Sequence, residues 1–484
     1  MEDVNHPEAT EELPDGYYGR NFGRVPTGKP CTPLMEYAKM LEADPGEIPP
    51  ATIFPGNHNP KPRRISYDRY YDPEIAKLED EHIWSKMWLC AGREEDIPNV
   101  GDRMVFEIRD KSYLVVRSAP NEIRAFHNSC RHRGRLLCEG SGTGEHIRCP
   151  FHAWSYNLDG SIAWIPVEDD FPLKERKGLS LVPVQTGTWG GNVFINADPK
   201  APPLEKALGV LIDLFKDFDL GERYTVTHLR QKVRANWKVV QEAFQEGYHV
   251  IETHWDSLAI FGDTTTTYDC WEDEYSHIGR LITPTGIASG FMADKVSVRD
   301  SVEQYVKLYN GKEADPGRGE TIEDARNYLA ELKREQLEAE RGMPVENATN
   351  ARLLDFVKYF MFPNFHPWWG EQFPITYRFI PLGTNPEEAL LEIRLLAPVP
   401  KDGPRPASAK PVYVDFDEKC ADFPELGFIG YIADQDVANM PQVQKGMRAA
   451  RPDKATPILG MYQEKQITHF HEKLDKLLGL KKRG

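Results

Sequence analysis

The spacing of apolar positions changes character several times along the chain. Residues 1–65 show no period: Pro, Gly and charged residues dominate, and PPATIFPGNHNPKPRR reads as an arm laid over a surface or a neighbour. From Asp72 the spacing turns helical. Asp72 is placed to cap, Pro73 to take the first helical position, and Ile75, Leu78, Ile83 and Met87 fall on one stripe. Alternation takes over in RMVFEIRD and KSYLVVRS, joined by a turn at Asp110–Lys111, and in EIRAF. WSYNLDGSIAWIPV reads as a hairpin turning at Asp159–Gly160. These short strands predict a β-rich domain of about a hundred residues. The chain leaves it near residue 190 through GGNVFINADPKAPPL, read as a Pro-rich linker.

The second half mixes helix and strand. TIEDARNYLAELKREQLEAER, residues 321–341, predicts a helix with Thr321 and Asp324 as a capping box, and its polarity suggests a solvated insertion. YRFIPLG and ALLEIRLLAPVP are strand-like. The aromatic run LDFVKYFMFPNFHPWW has two readings, core or the lining of an apolar substrate pocket. Trp255, Phe291, Phe360 and Phe362 are candidate pocket walls on the second reading. HFHEKLDKLLGL closes the chain as a helix; His469 and His471 have no carboxylate partner evident in sequence and are read as structural.

Composition narrows the function. A net charge of −16 and a pI near 5.4 argue against nucleic acid or an anionic membrane as partner. The acidic, polar start MEDVNHPEATEELPDG has no apolar core, and no run approaches the roughly 18 apolar residues of a membrane span, so the expectation is a cytoplasmic protein. Seven scattered cysteines do not make a disulfide framework. Cys138 is read as packing, and Gly140, Gly142 and Gly144 as loop flexibility.

Two stretches carry chemistry. In CRHRGRLLCEGSGTGEHIRCPFH, Cys130 and His132 form one claw and Cys149 and His152 a second, with sixteen residues between them. Two thiolates and two imidazoles suit tetrahedral zinc or a Rieske [2Fe–2S] centre, in which two histidines serve one iron. Zinc sites usually group Cys with Cys and His with His, whereas each claw here offers one of each, as a two-iron cluster needs. The second stretch is NWKVVQEAFQEGYHVIETHW. Glu246 and His249 are three apart and would share a helix face; His254, five further on, needs a bend, for which Gly247 is suited. Two converging imidazoles joined by a carboxylate would make the facial triad of a non-haem Fe(II) site; taken alone, the pair reads equally well as polar surface or core.

The joint occurrence of both motifs, with CPFHAW in the second claw and NWK ahead of Glu246, resembles the large (alpha) subunit of Rieske non-haem iron oxygenases, the aromatic-ring-hydroxylating dioxygenase family with its dealkylating monooxygenase relatives. The resemblance runs from about Tyr70 to the C-terminus. It implies an α+β chain: an N-terminal extension (1–65), a Rieske all-β domain with its leading helix (66–198), and a catalytic domain (199–484) with an antiparallel sheet and flanking helices of helix-grip type. It further implies that Cys130, His132, Cys149 and His152 hold the Rieske [2Fe–2S] cluster, and that His249 and His254 bind mononuclear Fe(II). The third ligand would be a late Asp preceding a helix; IADQDVANMPQVQKGM offers Asp434 and Asp436, and Asp436 matches better. Glu246 matches the acid that bridges this iron to the Rieske domain of a neighbouring subunit, which implies a homotrimer, with or without a small beta subunit. Ala243 stands where many members have Asn.

No G-x-G-x-x-G follows a predicted strand, so electrons are expected from a separate reductase, with or without a ferredoxin. The expected activity is that of a terminal oxygenase using O₂ on an aromatic or other apolar small molecule, by cis-dihydroxylation first and by monooxygenation (hydroxylation or O- or N-dealkylation) as the alternative. A Rieske electron carrier without oxygenase activity is the reading from a different class.

Overall fold

The computed structural model describes residues 37–61, 64–171, 177–292, 295–341, 345, 347–400, 403–450 and 456–480. The alternating stretches become β1 (Leu89–Arg93), β2 (Arg103–Ile108), β3 (Lys111–Ala119) and β4 (Glu122–His127), followed by the short β5 (Ile147–Arg148), β6 (Ser155–Tyr156) and β7 (Ile162–Trp164), and then β8 (Pro183–Trp189) and β9 (Asn192–Asn196). Six of them form one sheet in the order β1-β9-β8-β4-β3-β2, and β5-β6-β7 make a second, three-stranded sheet. Ile108 pairs with Lys111, so the β2/β3 turn is Arg109–Asp110, one residue earlier than expected, with Arg109 at a φ of 56°.

The supposed linker at 190 begins as a strand. β9 is buried along its whole length and lies between β1 and β8, and only the residues after Asn196 connect onward. Its apolar core VFI is too short to show a period, and the Gly and Pro around it dominated the reading. Gly190 and Gly191, at φ 57° and 71°, make the turn into it, a backbone conformation that glycine adopts without strain.

A larger sheet follows from β10 (Arg223–Val233), β11 (Thr267–Glu272), β12 (His277–Thr283), β13 (Phe356–Met361), β14 (Phe365–Trp369), β15 (Ile375–Pro381), β16 (Ala389–Pro398) and β17 (Val412–Val414), in the order β11-β12-β13-β14-β15-β16-β10-β17. It is antiparallel except for β17, which runs parallel to β10. Both faces are covered, which is why its strands read as nearly continuous apolar runs. Val357, Tyr359 and Met361 pack on the arm helix Tyr37–Ala43 and on residues 204–218. The opposite face meets the helices Trp237–Glu242, Gly427–Ala449 and Lys465–Leu478. Among the described residues no helix is long and apolar enough to cross a membrane.

The described part of the arm lies on this chain's own surface: the Arg280 guanidinium donates to the carbonyls of Ala51 and Phe54. Its first 36 residues fall outside the described residues. Asp72 caps the helix Pro73–Glu79 by accepting from the Glu74 N–H. Glu79 at the end of that helix ties the two metal-bearing regions together, accepting from Lys238 Nζ at 2.5 Å and Trp237 Nε1 at 2.9 Å. The NWK motif is therefore structural: Asn236 caps its helix, and the next two residues grip Glu79. Further along, Glu242 meets Tyr70 and His471, so His471 does have a carboxylate partner, at 2.8 Å; His469 lies 3.8 Å from Glu272. Neither pairing is visible along the chain, because the partners are about 200 residues away.

The helix Ile322–Arg341 is not a solvated insertion. Ala325, Leu329, Ala330 and Leu337 are buried in a local core, and Thr321 caps it, but the Asp324 carboxylate turns instead to Arg318 and the Gly319 N–H. Arg326, 1% exposed, reaches Asp44 at 2.7 Å and Asp355 at 2.9 Å and joins arm, helix and sheet. Removing one member of a buried charge cluster leaves the others unpaired, at a cost of about 3–5 kcal/mol. Arg326→Ala is expected to lower the thermal unfolding midpoint by several degrees, while Glu323→Ala on the exposed side of the same helix leaves it unchanged.

Candidate metal centres and the cavity beside them

The claws sit on two loops. The first follows β4, where the buried Asn128 side chain accepts from the Leu137 and Cys138 N–H groups and donates to the Cys138 carbonyl. The second lies between β5 and β6; Cys149 N–H donates to Trp154 O, Ala153 N–H returns to Cys149 O, and Ala153 takes a φ of 62° to close the loop. The thiols point inward, with Cys130 4% and Cys149 2% exposed, and burial raises the Cys130 thiol above its ordinary range. His132 and His152 lie outside them with ring centroids 4.7 Å apart, and His132 stacks on Trp154. Tyr156, which the sequence reading missed, places its hydroxyl 3.3 Å from Cys130 Sγ and accepts from the Arg131 N–H.

Among the described residues, the sets of three or more ligand-type side chains with donor atoms within 4.8 Å of one another are His249–His254–Asp436 and His58–Glu272–His469. The claws do not form such a set, so their atoms do not converge on one point as a single zinc requires. Two inner thiols and two outer imidazoles fit a two-iron cluster.

The helix leading to the second centre stops at Glu242, and the next helical turn is Val250–Thr253. The bend foreseen around Gly247 is present, though wider than foreseen: Glu246 lies in the irregular stretch and not on a helix face with His249. The contact between them forms all the same. Glu246 accepts from the His249 N–H at 2.9 Å and lies 2.6 Å from its Nδ1. Gly247 packs tightly here, since a Cβ on it would meet Thr266 Oγ1 at 3.0 Å.

Asp436 lies inside the helix Gly427–Ala449 and not ahead of it, and is 5% exposed. Its Oδ1 is 2.9 Å from His254 Nε2 and 3.6 Å from His249 Nε2, yet no hydrogen bond satisfies it. Asp434, the alternative, is turned away to accept from the N–H groups of Cys420 and Ala421.

Gln435, absent from the sequence reading, explains the unsatisfied oxygen. Its Nε2 donates to the Tyr431 hydroxyl, so its Oε1 faces His254 Nδ1 at 2.8 Å and accepts that ring's proton. Glu246 does the same for His249. Both Nε2 atoms then face the Asp436 carboxylate across the position a cation would take. Two imidazoles and a carboxylate on one side, with the other side open, suit ferrous iron. The only sequence clue to Gln435 was its place beside Asp436.

A cavity of about 160 Å³ opens next to these three residues. Phe244, Phe356, Trp368, Phe373, Tyr377 and Phe428 are among its walls, and Lys358 also reaches it. The aromatic run thus serves both purposes, alternate residues of β13 facing core and cavity. Of the four wall residues named from sequence, three do not line the cavity. Phe360 and Phe362 are core residues against Phe470, and Trp255 packs near Leu258; the Phe291 side chain lies outside the described residues.

The Rieske [2Fe-2S] domain family matches residues 87–181, and the ring hydroxylating alpha subunit (catalytic domain) family matches residues 217–480. The chain is similar to a glycine betaine monooxygenase oxygenase subunit of Pseudomonas aeruginosa, 34% identical over 272 residues, which are 52% of this chain and 63% of that protein. The match therefore spans less than two thirds of the relative. Among solved structures, a quaternary ammonium Rieske monooxygenase described for carnitine oxidation superposes with a TM-score of 0.60 at 17% identity, over 86% of this chain and 95% of that one. Naphthalene 1,2-dioxygenase from Rhodococcus sp. superposes with a TM-score of 0.57 at 21% identity, over 86% and 94%. Likeness at this level of identity speaks for the fold alone.

Gln435→Ala frees the His254 ring and is expected to weaken ferrous binding about 10- to 100-fold, measured by chelator competition. His254→Ala should remove about one iron per chain and leave the visible spectrum of the claw-bound cluster unchanged.

Proposed function

The chain belongs to the ring-hydroxylating alpha subunits that carry a Rieske [2Fe–2S] domain, and on that premise we propose that it is the terminal oxygenase of a multicomponent Rieske system that inserts one oxygen atom into its substrate. The balance is R–H + O₂ + 2e⁻ + 2H⁺ → R–OH + H₂O; at an N- or O-methyl group the resulting hemiaminal or hemiacetal collapses with loss of formaldehyde. The observation that carries the oxygenase reading is the convergence of His249, His254 and Asp436 at the edge of an apolar cavity, in a chain that also bears the claws. It weighs against a bare electron carrier, which needs neither. Monooxygenation is preferred to the cis-dihydroxylation expected from sequence because the 34%-identical relative is a monooxygenase subunit. Dihydroxylation remains the second reading, supported by the aromatic cavity walls.

When bound, the cluster and the mononuclear iron supply single electrons and O₂ activation. The chain's residues set the conditions. Glu246 and Gln435 accept from the Nδ1 edges of His249 and His254, which turns both Nε2 atoms toward Asp436 and the iron position. The aromatic walls exclude water from the reacting position. Phe151, 53% exposed beside His152, and Tyr248, 56% exposed beside His249, are apolar surfaces suited to meeting across a head-to-tail contact. This supports the homotrimer, in which Glu246 would relay between His249 and the next subunit's cluster. A reductase, with or without a ferredoxin, completes the system.

Turnover under ¹⁸O₂ with a reductase and NADH tests the main reading: one ¹⁸O in the product and one in water is expected, whereas both atoms in the product would establish dihydroxylation. Glu246→Gln is expected to keep both metals and a normally reducible cluster, while electron delivery in a single turnover slows about 10- to 100-fold. A wild-type rate in that variant would remove the relay.

A further inference from the structure

Lys358 is an anomaly in its strand. β13 reads FVKYFM, an apolar segment in which alternation sends Val357, Tyr359 and Met361 into the core and aims Phe356 and Lys358 at the cavity. The lysine is 5% exposed. Its Nζ makes no hydrogen bond or ion pair with any described residue; it lies over the rings of Phe244 and Trp368, with centroids at 5.6 and 5.8 Å. A buried ammonium without a paired anion is unfavourable, and a methionine, one atom shorter, would fill most of the space without that cost.

The carboxylates nearest in effect are already engaged. Glu246 is held by His249, and Asp436 faces the two imidazoles. Burial pushes the Lys358 amine down to about 7, against the pull of Glu246 and Asp436, so those two carboxylates do not offset its desolvation. The remaining polar space around it is the cavity itself.

We propose that Lys358 is the docking point for a carboxylate on the substrate, and that this oxygenase acts on apolar molecules bearing one acidic group. The proposal deepens the reading of the cavity as the oxygenase's substrate site and rests on it. An arriving carboxylate gives the ammonium its missing partner in a low-dielectric setting, where a charge-assisted bond is strong. The aromatic walls then take the apolar remainder. The same geometry decides against a cationic head at this end of the cavity. The faces of Phe244 and Trp368, which would cradle a trimethylammonium group, are already turned to a cation belonging to the protein. A zwitterion such as glycine betaine could bind here only by its carboxylate end.

The test uses the anaerobic, iron-loaded oxygenase without reductase, so that binding is read apart from turnover and from the fate of oxygen. Arene and alkyl carboxylates, beginning with benzoate and phenylacetate, are each paired with the neutral amide and with the trimethylammonium analogue, and affinities are measured by calorimetry. Wild-type protein is expected to bind carboxylates at least tenfold more tightly than their amides, Lys358→Arg to keep part of that preference, and Lys358→Met to lose it, with iron content and cluster spectrum unchanged. A Lys358→Met variant with the wild-type preference would overturn the proposal. So would wild-type protein that binds no carboxylate ahead of its amide across the panel, or that favours the trimethylammonium probes; this arm decides even if the methionine variant fails to fold. The ¹⁸O₂ result leaves this outcome untouched, so the two readings fall separately.

Discussion

A buried carboxylate facing two imidazoles is the constraint from which the catalytic half follows. Asp436 Oδ1 faces Nε2 of both rings, while Gln435 and Glu246 hold their opposite, Nδ1 edges. The three groups converge from one side on a point where a cation makes them a ligand set. The protein holds this arrangement by anchoring each member to a different piece of rigid structure. His249 and His254 flank a single helical turn, and Asp436 projects from the middle of a 23-residue helix. The helix ahead of the histidines is pinned at both ends, by Glu79 on Trp237 and Lys238 and by His471 and Tyr70 on Glu242.

The parts legible in the sequence were those whose chemistry is local. The claws are short loops, so spacing alone aims their side chains. The His249–Glu246 contact was also readable, although the backbone between them is irregular and not helical, because three residues span the distance in either conformation. What escaped were partners brought together by tertiary packing. Gln435, Tyr156 and Lys358 have no spacing signature, and His471 meets its carboxylate across 229 residues. The misread helix at 322–341 shows the same limit: its charged residues suggested solvent, but one of them, Arg326, is the buried centre of a charge cluster, and the small apolar residues beside it line a core. β9 was lost to the glycines and prolines at its borders, which mark a turn and a connection and say nothing of the five residues between.

The fold leaves the substrate open and the cavity narrows it. Structures of a quaternary ammonium monooxygenase and of an arene dioxygenase superpose almost equally well on this chain. The side chains turned into the cavity come in large part from β13 to β15 and from the helix that carries Asp436. Among them the aromatic residues are permissive, since a ring face accepts arene, alkyl or cation. On the role proposed for Lys358, the charged side chain is the selective element, because an unmatched charge in that environment excludes more ligands than any wall does.

The arm over the large sheet bears on how the protein is made. Tyr37 donates to Asp355, a separation of 318 residues, and Asp44 reaches Arg326 across 282. By contrast, every strand of the six-stranded sheet lies between Leu89 and Asn196. A chain emerging from the ribosome can close the cluster-bearing sheet early, whereas the arm must wait until most of the catalytic half exists. Its docking completes the cover of a sheet face that residues 204–218 share: Tyr359 meets Phe215 and Trp369 meets Phe218 without the arm, but the Tyr359 hydroxyl waits for the Ala51 carbonyl. A segment made before the six-stranded sheet thus settles after it, and the buried charge cluster around Arg326 is complete only when Asp44 arrives.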